Sequence, residues 1–298
     1  MKNRDYMSQI CITFVTSVAS LLLVFPVQGV NARQHDPLPE INWMEGPRTV
    51  NLGNNIAQID LGEDYVFANA ADTRRLMQLL GNPVSNMEVG FIRSRERYED
   101  WFVVFEYDPV GYIPDDEKDS LDADAILDSI KRGNEEANKI REEKGWPLVN
   151  VIGWYEKPHY DSLSHNLVWA VLGESNSSYG VNYNVRLLGR HGYTSAVLVT
   201  EPGTLDSLKP ELENIIANFS YKTGKRYAEF VQGDKVAKYG LVALIAGGAG
   251  AAAVKFGLLK WLAKAWKIVA VGVIAFFTAL WRIMKGLLGR EERISLPQ

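Results

Sequence analysis

The sequence predicts an α+β fold, in which helices pack on one face of an antiparallel sheet and C-terminal transmembrane helices follow. Three observations lead to this prediction. Four strand patterns with short turns follow one another between residues 148 and 200, as in an antiparallel meander. Helical patterns lie before and after these strands, as in α+β domains. Both ends of the 298-residue chain are apolar, whereas the middle has the composition of a soluble domain.

The N-terminus has the three-part order of a secretory signal peptide. A short positive start is followed by an apolar run from Ile10 to Val27, and Val30-Asn31-Ala32 offers the small residues that a signal peptidase reads. This order favours residues 1–32 as a cleaved signal peptide over an uncleaved anchor, although about 18 apolar residues can just span a bilayer. Either interpretation places residues 33–235, the α+β domain, outside the cytoplasm.

The first half of the domain alternates strands and helices. Ile56–Leu61 and Tyr65–Ala68 have the pattern of short strands. A helix is expected over Asn69–Leu80, because an asparagine side chain can cap its first turn. Trp101–Tyr107 is aromatic and β-branched on both faces except for Glu106, which predicts a strand.

The second half begins with a long helix over Asp122–Lys144. Its residues Ile126, Ile130 and Ile140 belong to one stripe with helical spacing, which predicts a buried face. A further helix is expected over Leu205–Phe219. Between the two helices lie the four strand patterns, Leu148–Trp154, Asn166–Leu172, Val181–Leu188 and Tyr193–Thr200.

Residues 236–298 predict a C-terminal membrane anchor with two helices, at about 239–259 and 262–281. Each apolar run can be extended to the roughly 20 residues that cross the hydrocarbon core. Lysines in the connector favour a cytoplasmic turn, and basic residues in the tail argue equally for a cytoplasmic tail. We expect two spans with a cytoplasmic turn. In the alternative, residues 260–285 lie along the interface as an amphipathic helix.

Composition and motifs exclude several function classes. The net charge of −4 lacks the basic bias of nucleic-acid-binding proteins. The single cysteine, Cys11, lies in the N-terminal apolar run, so a cleaved chain has neither a disulfide nor a thiolate metal site. The sequence has no G-x-S-x-G, no P-loop and no G-x-G-x-x-G. We therefore expect no cofactor and find no catalytic signature.

Several separate motifs follow one another along the chain: Leu80-Gly81-Asn82-Pro83, Gly111-Tyr112-Ile113, Gly153-Trp154, Asn182-Tyr183-Asn184 and Leu188-Gly189-Arg190. With these motifs in this order, the chain resembles a bacterial family of predicted membrane-anchored proteins, DUF2167, from about Val50 to Leu259. The resemblance implies a signal, an extracytoplasmic domain and a C-terminal anchor. It carries no known catalytic residues.

The strongest candidate for a ligand site is the hairpin near residue 186. Asn182, Asn184 and Arg186 share one strand face, because side chains two residues apart point the same way. Together with Arg190 in the turn, they are candidates for binding an anionic or polyol ligand. The favoured alternative is that these residues lie on the solvent face of a half-buried sheet, which is polar because it contacts water.

His159 and Asp161 are the candidate catalytic residues, since a histidine beside a carboxylate can do acid–base work. With His165 they are also a weak candidate for a metal site, but zinc ligands are spaced more closely and no HExxH is present. The acidic run before the long helix fails the EF-hand spacing and suits a helix N-terminus. We expect no metal.

These observations favour an extracytoplasmic protein in a bacterial cell membrane, whose activity is a binding or envelope-assembly role. Its expected partners are the lipid bilayer and an envelope protein. The alternative is an envelope hydrolase or transferase, for which His159, Asp161 and Arg186 must converge in one pocket. A weaker alternative, a transport accessory subunit, depends only on the Gly/Ala-rich C-terminal helix.

Overall fold

The structure is a computed structural model that describes residues 40–96, 99–119 and 121–246. The predicted signal peptide and the predicted membrane anchor beyond residue 246 lie outside these residues. Among the residues described, no helix is long and apolar enough to cross a membrane.

The described residues form two antiparallel sheets, with strands and helices numbered along the chain. The larger sheet has the order β1 (Met44–Glu45), β4 (Tyr65–Asn69), β5 (Glu88–Ser94), β6 (Phe102–Asp108), β10 (Gly192–Thr200), β9 (Ser178–Gly189), β8 (Asn166–Ser175) and β7 (Asn150–Asp161). The smaller sheet has the order β11 (Phe219–Tyr221), β3 (Ala57–Leu61) and β2 (Arg48–Leu52). Strands β7 to β10 are neighbours in chain order, so the predicted meander is confirmed.

The described residues form four α-helices, two of which begin at a capping side chain. They are α1 (Ala70–Leu79), α2 (Ala123–Glu143), α3 (Leu205–Ala217) and the short α4 (Leu241–Ala246). The Asn69 side chain accepts hydrogen bonds from the backbone N–H groups of the first turn of α1. Asp122 caps α2 in the same way through the N–H of Ala125. A 3₁₀ turn at Tyr227–Glu229 follows β11.

The larger sheet has helices on both faces, so the expectation of helices on one face is wrong. In β8, Trp169 packs with α2 and α4, whereas the neighbouring Val168 and Ala170 pack with α3 and the smaller sheet. Because side chains alternate along a strand, these two groups lie on opposite faces. We call the face that carries Trp169 the front face and the other the back face. The apolar run in β8 is continuous, as in strands buried on both sides.

Two separate apolar clusters cover the front face. One lies beneath α1, where Met77 packs with Phe91 and Val197. The other lies beneath α2 and α4, where Ile126 packs with Trp169. Helix α4 contributes buried side chains to the second cluster. The first residues of the predicted span at 239–259 therefore pack on the domain, and the rest of that span lies outside the described residues.

The β9–β10 hairpin is held tightly against the end of β6. A Cβ atom on Gly192 would lie 2.0 Å from the carbonyl oxygen of Asp108, so only glycine fits at this turn. The close approach is consistent with the register in which Tyr193 pairs with Asp108 and Ser195 pairs with Glu106. This register aligns the polar residues of the site.

Candidate functional site

A line of buried polar side chains runs between the two apolar clusters of the front face. Its members, each at most 8% exposed, are Glu88, Glu106, Asn182, Asn184, Arg186 and Ser195, and we call them the polar seam. The strand register aligns four of them. Ser195 pairs with Glu106 on one side and with Arg186 on the other, and Glu106 pairs with Glu88. One row of the sheet thus carries two carboxyl groups, a hydroxyl group and a guanidinium.

The seam contains the three strand residues that were predicted to share a face. Asn182, Asn184 and Arg186 do so, but the expectation that this is the solvent face is wrong, since they are 1%, 6% and 3% exposed. The reason is that α1, α2 and α4 cover this face of the sheet. Polar residues on a covered face must find partners inside the protein or in a bound molecule.

Arg186 lies at the centre of the seam, between two aromatic rings. Its guanidinium carbon is 4.7 Å from the ring centroid of Trp169 and 5.7 Å from that of Tyr193, which are cation–π distances. Its Nη1 donates a hydrogen bond to Ser195 Oγ. Burial lowers the pKa of Arg186. Within the described part of the chain, no carboxylate oxygen lies within 4.0 Å of an Arg186 nitrogen.

The carboxyl groups lie on the opposite side of Ser195. The pKa of Glu106 is raised to about 7, chiefly by burial; the charge of Arg186 lowers this pKa, and the charges of Glu88 and Asp108 raise it. Glu88 Oε1 accepts hydrogen bonds from the backbone N–H and the hydroxyl of Ser85 at 2.6 and 3.1 Å. Near neutral pH, the Glu106 carboxyl group is therefore partly protonated.

Six buried side-chain atoms in and beside the seam have no hydrogen-bond partner among the described residues. They are Glu88 Oε2, Glu106 Oε1, Trp169 Nε1, Asn182 Nδ2, Asn182 Oδ1 and Arg186 Nε. A buried polar group left unpaired costs roughly 1–3 kcal/mol. A typical domain is stable by only about 5–15 kcal/mol. Groups like these bind ordered water or a ligand in native proteins.

Arg190 lies in the turn of the hairpin and outside the seam. Its Nε and Nη2 donate to the two carboxylate oxygens of Asp234 at 2.7 and 2.9 Å, a bidentate ion pair. This hydrogen bond lowers the pKa of Asp234 to about 2. The guanidinium of Arg190 therefore joins the hairpin to the segment that leads into α4, and its carboxylate partner comes from the protein itself.

The structure does not bring His159 and Asp161 together with Arg186. In β7, Tyr160 pairs with Leu167, which in turn pairs with Arg186, so the Tyr160 side chain lies on the front face. Because side chains alternate along a strand, His159 and Asp161, on either side of Tyr160, point to the back face. Both are exposed. The Asp161 carboxylate accepts hydrogen bonds within its own turn, from Leu163 N at 2.9 Å and from a serine hydroxyl at 2.6 Å.

His159 and His165 each lie near a side chain of β7. His165 Nδ1 lies 3.0 Å from the Tyr160 hydroxyl, while His159 Nδ1 lies 3.6 Å from Glu156 Oε1. No group of three or more potential metal ligands occurs in the described ranges.

Sequence reasoning missed the acidic half of the site. Glu106 is the charged residue in an otherwise apolar strand. A strand buried on both faces rarely carries a charge, so this residue could have been predicted as part of a functional site. Glu88 belongs to β5, which was not predicted as a strand. Ser195 and Trp169 have no signal of their own, since only the register places them beside Arg186.

The chain is similar to a known protein family and, more distantly, to a solved structure. A family described as protein of unknown function (DUF2167) matches residues 44–278. Among solved structures, the solution structure of cyanobacterial PsbP (CyanoP) from Synechocystis sp. PCC 6803 shares 10% sequence identity, with a TM-score of 0.36. That similarity covers 63% of this chain and 97% of that chain. No curated protein matches.

Proposed function

Because this chain belongs to the DUF2167 family of proteins of unknown function, we propose its function from its own geometry: a ligand-binding module, held at the outer side of a bacterial cell membrane. The single observation that carries the binding role is the polar seam, in which several buried donor and acceptor atoms lack partners among the described residues. A small polar ligand bound over Ser195 would pair with them.

The register places Glu106 and Arg186 on opposite sides of Ser195. Glu106 on β6 and Arg186 on β9 are separated by β10, which is two strand spacings of about 4.8 Å each. Serine is the small residue between two long charged ones in this row. The Glu106 carboxylate and the Arg186 guanidinium lie on the same face of the sheet, but the carboxylate oxygens are more than 4.0 Å from the guanidinium nitrogens. A ligand that bridges them would complete their hydrogen bonds.

The binding role is tested with small probes on the full-length protein in detergent. Glycine, acetate, ethylamine and glycerol are added separately, and the thermal unfolding temperature is measured. We expect at least one probe to raise the unfolding temperature of the wild type. The same probe should change the unfolding temperature of Arg186→Lys little, because lysine keeps the positive charge but lacks the guanidinium Nε.

Arg190→Lys is the matched control for that experiment, because Arg190 lies outside the seam, and it should respond as the wild type does. The seam is not a ligand site if none of the four probes shifts the unfolding temperature. The same conclusion follows if a probe raises the unfolding temperature of Arg186→Lys as much as that of the wild type.

The membrane placement is supported by the sequence of both ends. It is tested by topology reporters fused after Arg226, Leu262 and Gln298. Two spans predict reporter activity outside the cytoplasm at Arg226 and Gln298 and inside it at Leu262, because each apolar run reverses the side. A cytoplasmic reporter at both Leu262 and Gln298 would instead support one span with an interfacial helix. A cytoplasmic Arg226 reporter would contradict the proposed placement.

An envelope hydrolase or transferase has less support than a binding module. That alternative requires His159, Asp161 and Arg186 to share a pocket, and the first two are exposed on the side of β7 that faces away from the third.

A further inference from the structure

We infer that the ligand of the polar seam is a small zwitterion of amino-acid size, with its ammonium group between Glu88 and Glu106 and its carboxylate against Arg186 and Trp169. This inference rests on the proposed function and names the ligand class. It follows from the row of the sheet that contains Ser195, in which unpartnered carboxylate oxygens of Glu88 and Glu106 lie on one side and the unpartnered Nε of Arg186 lies on the other.

The acceptors are on the β5–β6 side. Glu88 and Glu106 are cross-strand partners, next to a register shift in β5, and directly paired residues have Cβ atoms about 5 Å apart. Each has one carboxylate oxygen without a partner among the described residues, Oε2 of Glu88 and Oε1 of Glu106. An ammonium group has three donors and a positive charge, so it can bond to both oxygens and offset the repulsion between the two carboxylates.

The donors are on the β8–β9 side. Arg186 Nε and Trp169 Nε1 are both buried and lack partners among the described residues. Neither group can accept a hydrogen bond. The Arg186 guanidinium is held in place by its contact with Ser195 Oγ and by the Trp169 ring. A carboxylate has two oxygens and can accept from both donors at once.

Ligands that lack the ammonium group, the carboxylate or both suit the seam less well. A simple anion would face Glu88, Glu106 and Asp108, which oppose the single guanidinium. A simple cation would bind between the carboxylates but leave the buried donors of Arg186 and Trp169 unpaired. An uncharged polyol would leave the separated charges of the seam without counter-charges. A zwitterion satisfies both sides together.

The inference is tested by calorimetric titration of the full-length protein in detergent with glycine and L-alanine. Two analogues are the matched probes: N-acetylglycine, which lacks the ammonium group, and glycinamide, which lacks the carboxylate. We expect glycine or L-alanine to bind saturably with a Kd below about 1 mM. Each analogue should bind at least roughly 30-fold more weakly, because it leaves a buried charge unpaired.

Two milder variants keep the test valid if larger substitutions impair folding. Trp169→Phe removes one donor and keeps an aromatic ring beside Arg186, so it should weaken glycine binding at least roughly 10-fold. Glu106→Gln removes one acceptor charge and should weaken it similarly. Glu213→Gln, an exposed position on α3, is the control and should bind as the wild type does.

Failure of the inference can be told apart from failure of the proposed function. If N-acetylglycine, glycinamide or glycerol binds as tightly as glycine, and Arg186→Lys abolishes that binding, the ligand is not a zwitterion although the seam is a ligand site. If no probe binds, both proposals are wrong, and a high-resolution structure should then show ordered waters on the six atoms.

Discussion

Replacing Arg186 with methionine is expected to lower the free energy of unfolding by about 3–5 kcal/mol at neutral to alkaline pH. The guanidinium is the positive charge that faces Glu106 in the seam, where it lowers the pKa of that carboxyl group against the effect of burial. Without it, the buried acidic groups lose their compensating cation. The measurement is urea unfolding of the solubilised full-length protein, followed by near-ultraviolet circular dichroism.

Arg190→Met is the matched control for this prediction. It removes the same type of side chain from the same hairpin, but its partner Asp234 is a near-surface carboxylate that water can solvate. We therefore expect a smaller loss of stability. Equal losses in the two variants would show that Arg186 contributes no more than an ordinary ion pair.

The second large effect is a loss of stability as the pH rises, caused by Glu106. Burial raises the pKa of Glu106 from 4.5 to about 7, so the folded protein holds this proton more tightly than the unfolded chain does. The resulting stabilisation is complete below pH 4.5 and is lost as the pH rises through about 7. At 1.36 kcal/mol for each pKa unit, the loss is about 3 kcal/mol.

The experiment compares the wild type with Glu106→Gln at several pH values between about 5 and 8, a window that the folded and unfolded pKa values define. Glutamine cannot ionise, so the variant should lose this part of the pH dependence. Asp234 does not interfere. Its pKa is lowered to about 2, so its stabilisation is present above 3.8 and is lost only as the pH falls through 2. If the free energy of unfolding of Glu106→Gln falls with pH as steeply as that of the wild type, Glu106 is not the cause of the pH dependence.

The elements that sequence reasoning identified are those with a strong local signal. Helix α1 has a capping asparagine, and α2 has a regular apolar stripe. Strand β5 was missed because Gly90 interrupts its pattern and charged residues lie near both of its ends. Glycine fits there because any Cβ atom would lie 2.5 Å from the Phe67 side chain, a contact between segments that are distant in sequence.

The sequence by itself determined that Asn182, Asn184 and Arg186 share one face of a strand, because alternation is a property of the extended backbone alone. Only the tertiary structure decided that this face is buried, since the helices that cover it come from other parts of the chain. It also decided which residues stand beside Arg186. Ser195 and Glu106 reach it through strand register, and register depends on long-range pairing that no local pattern records.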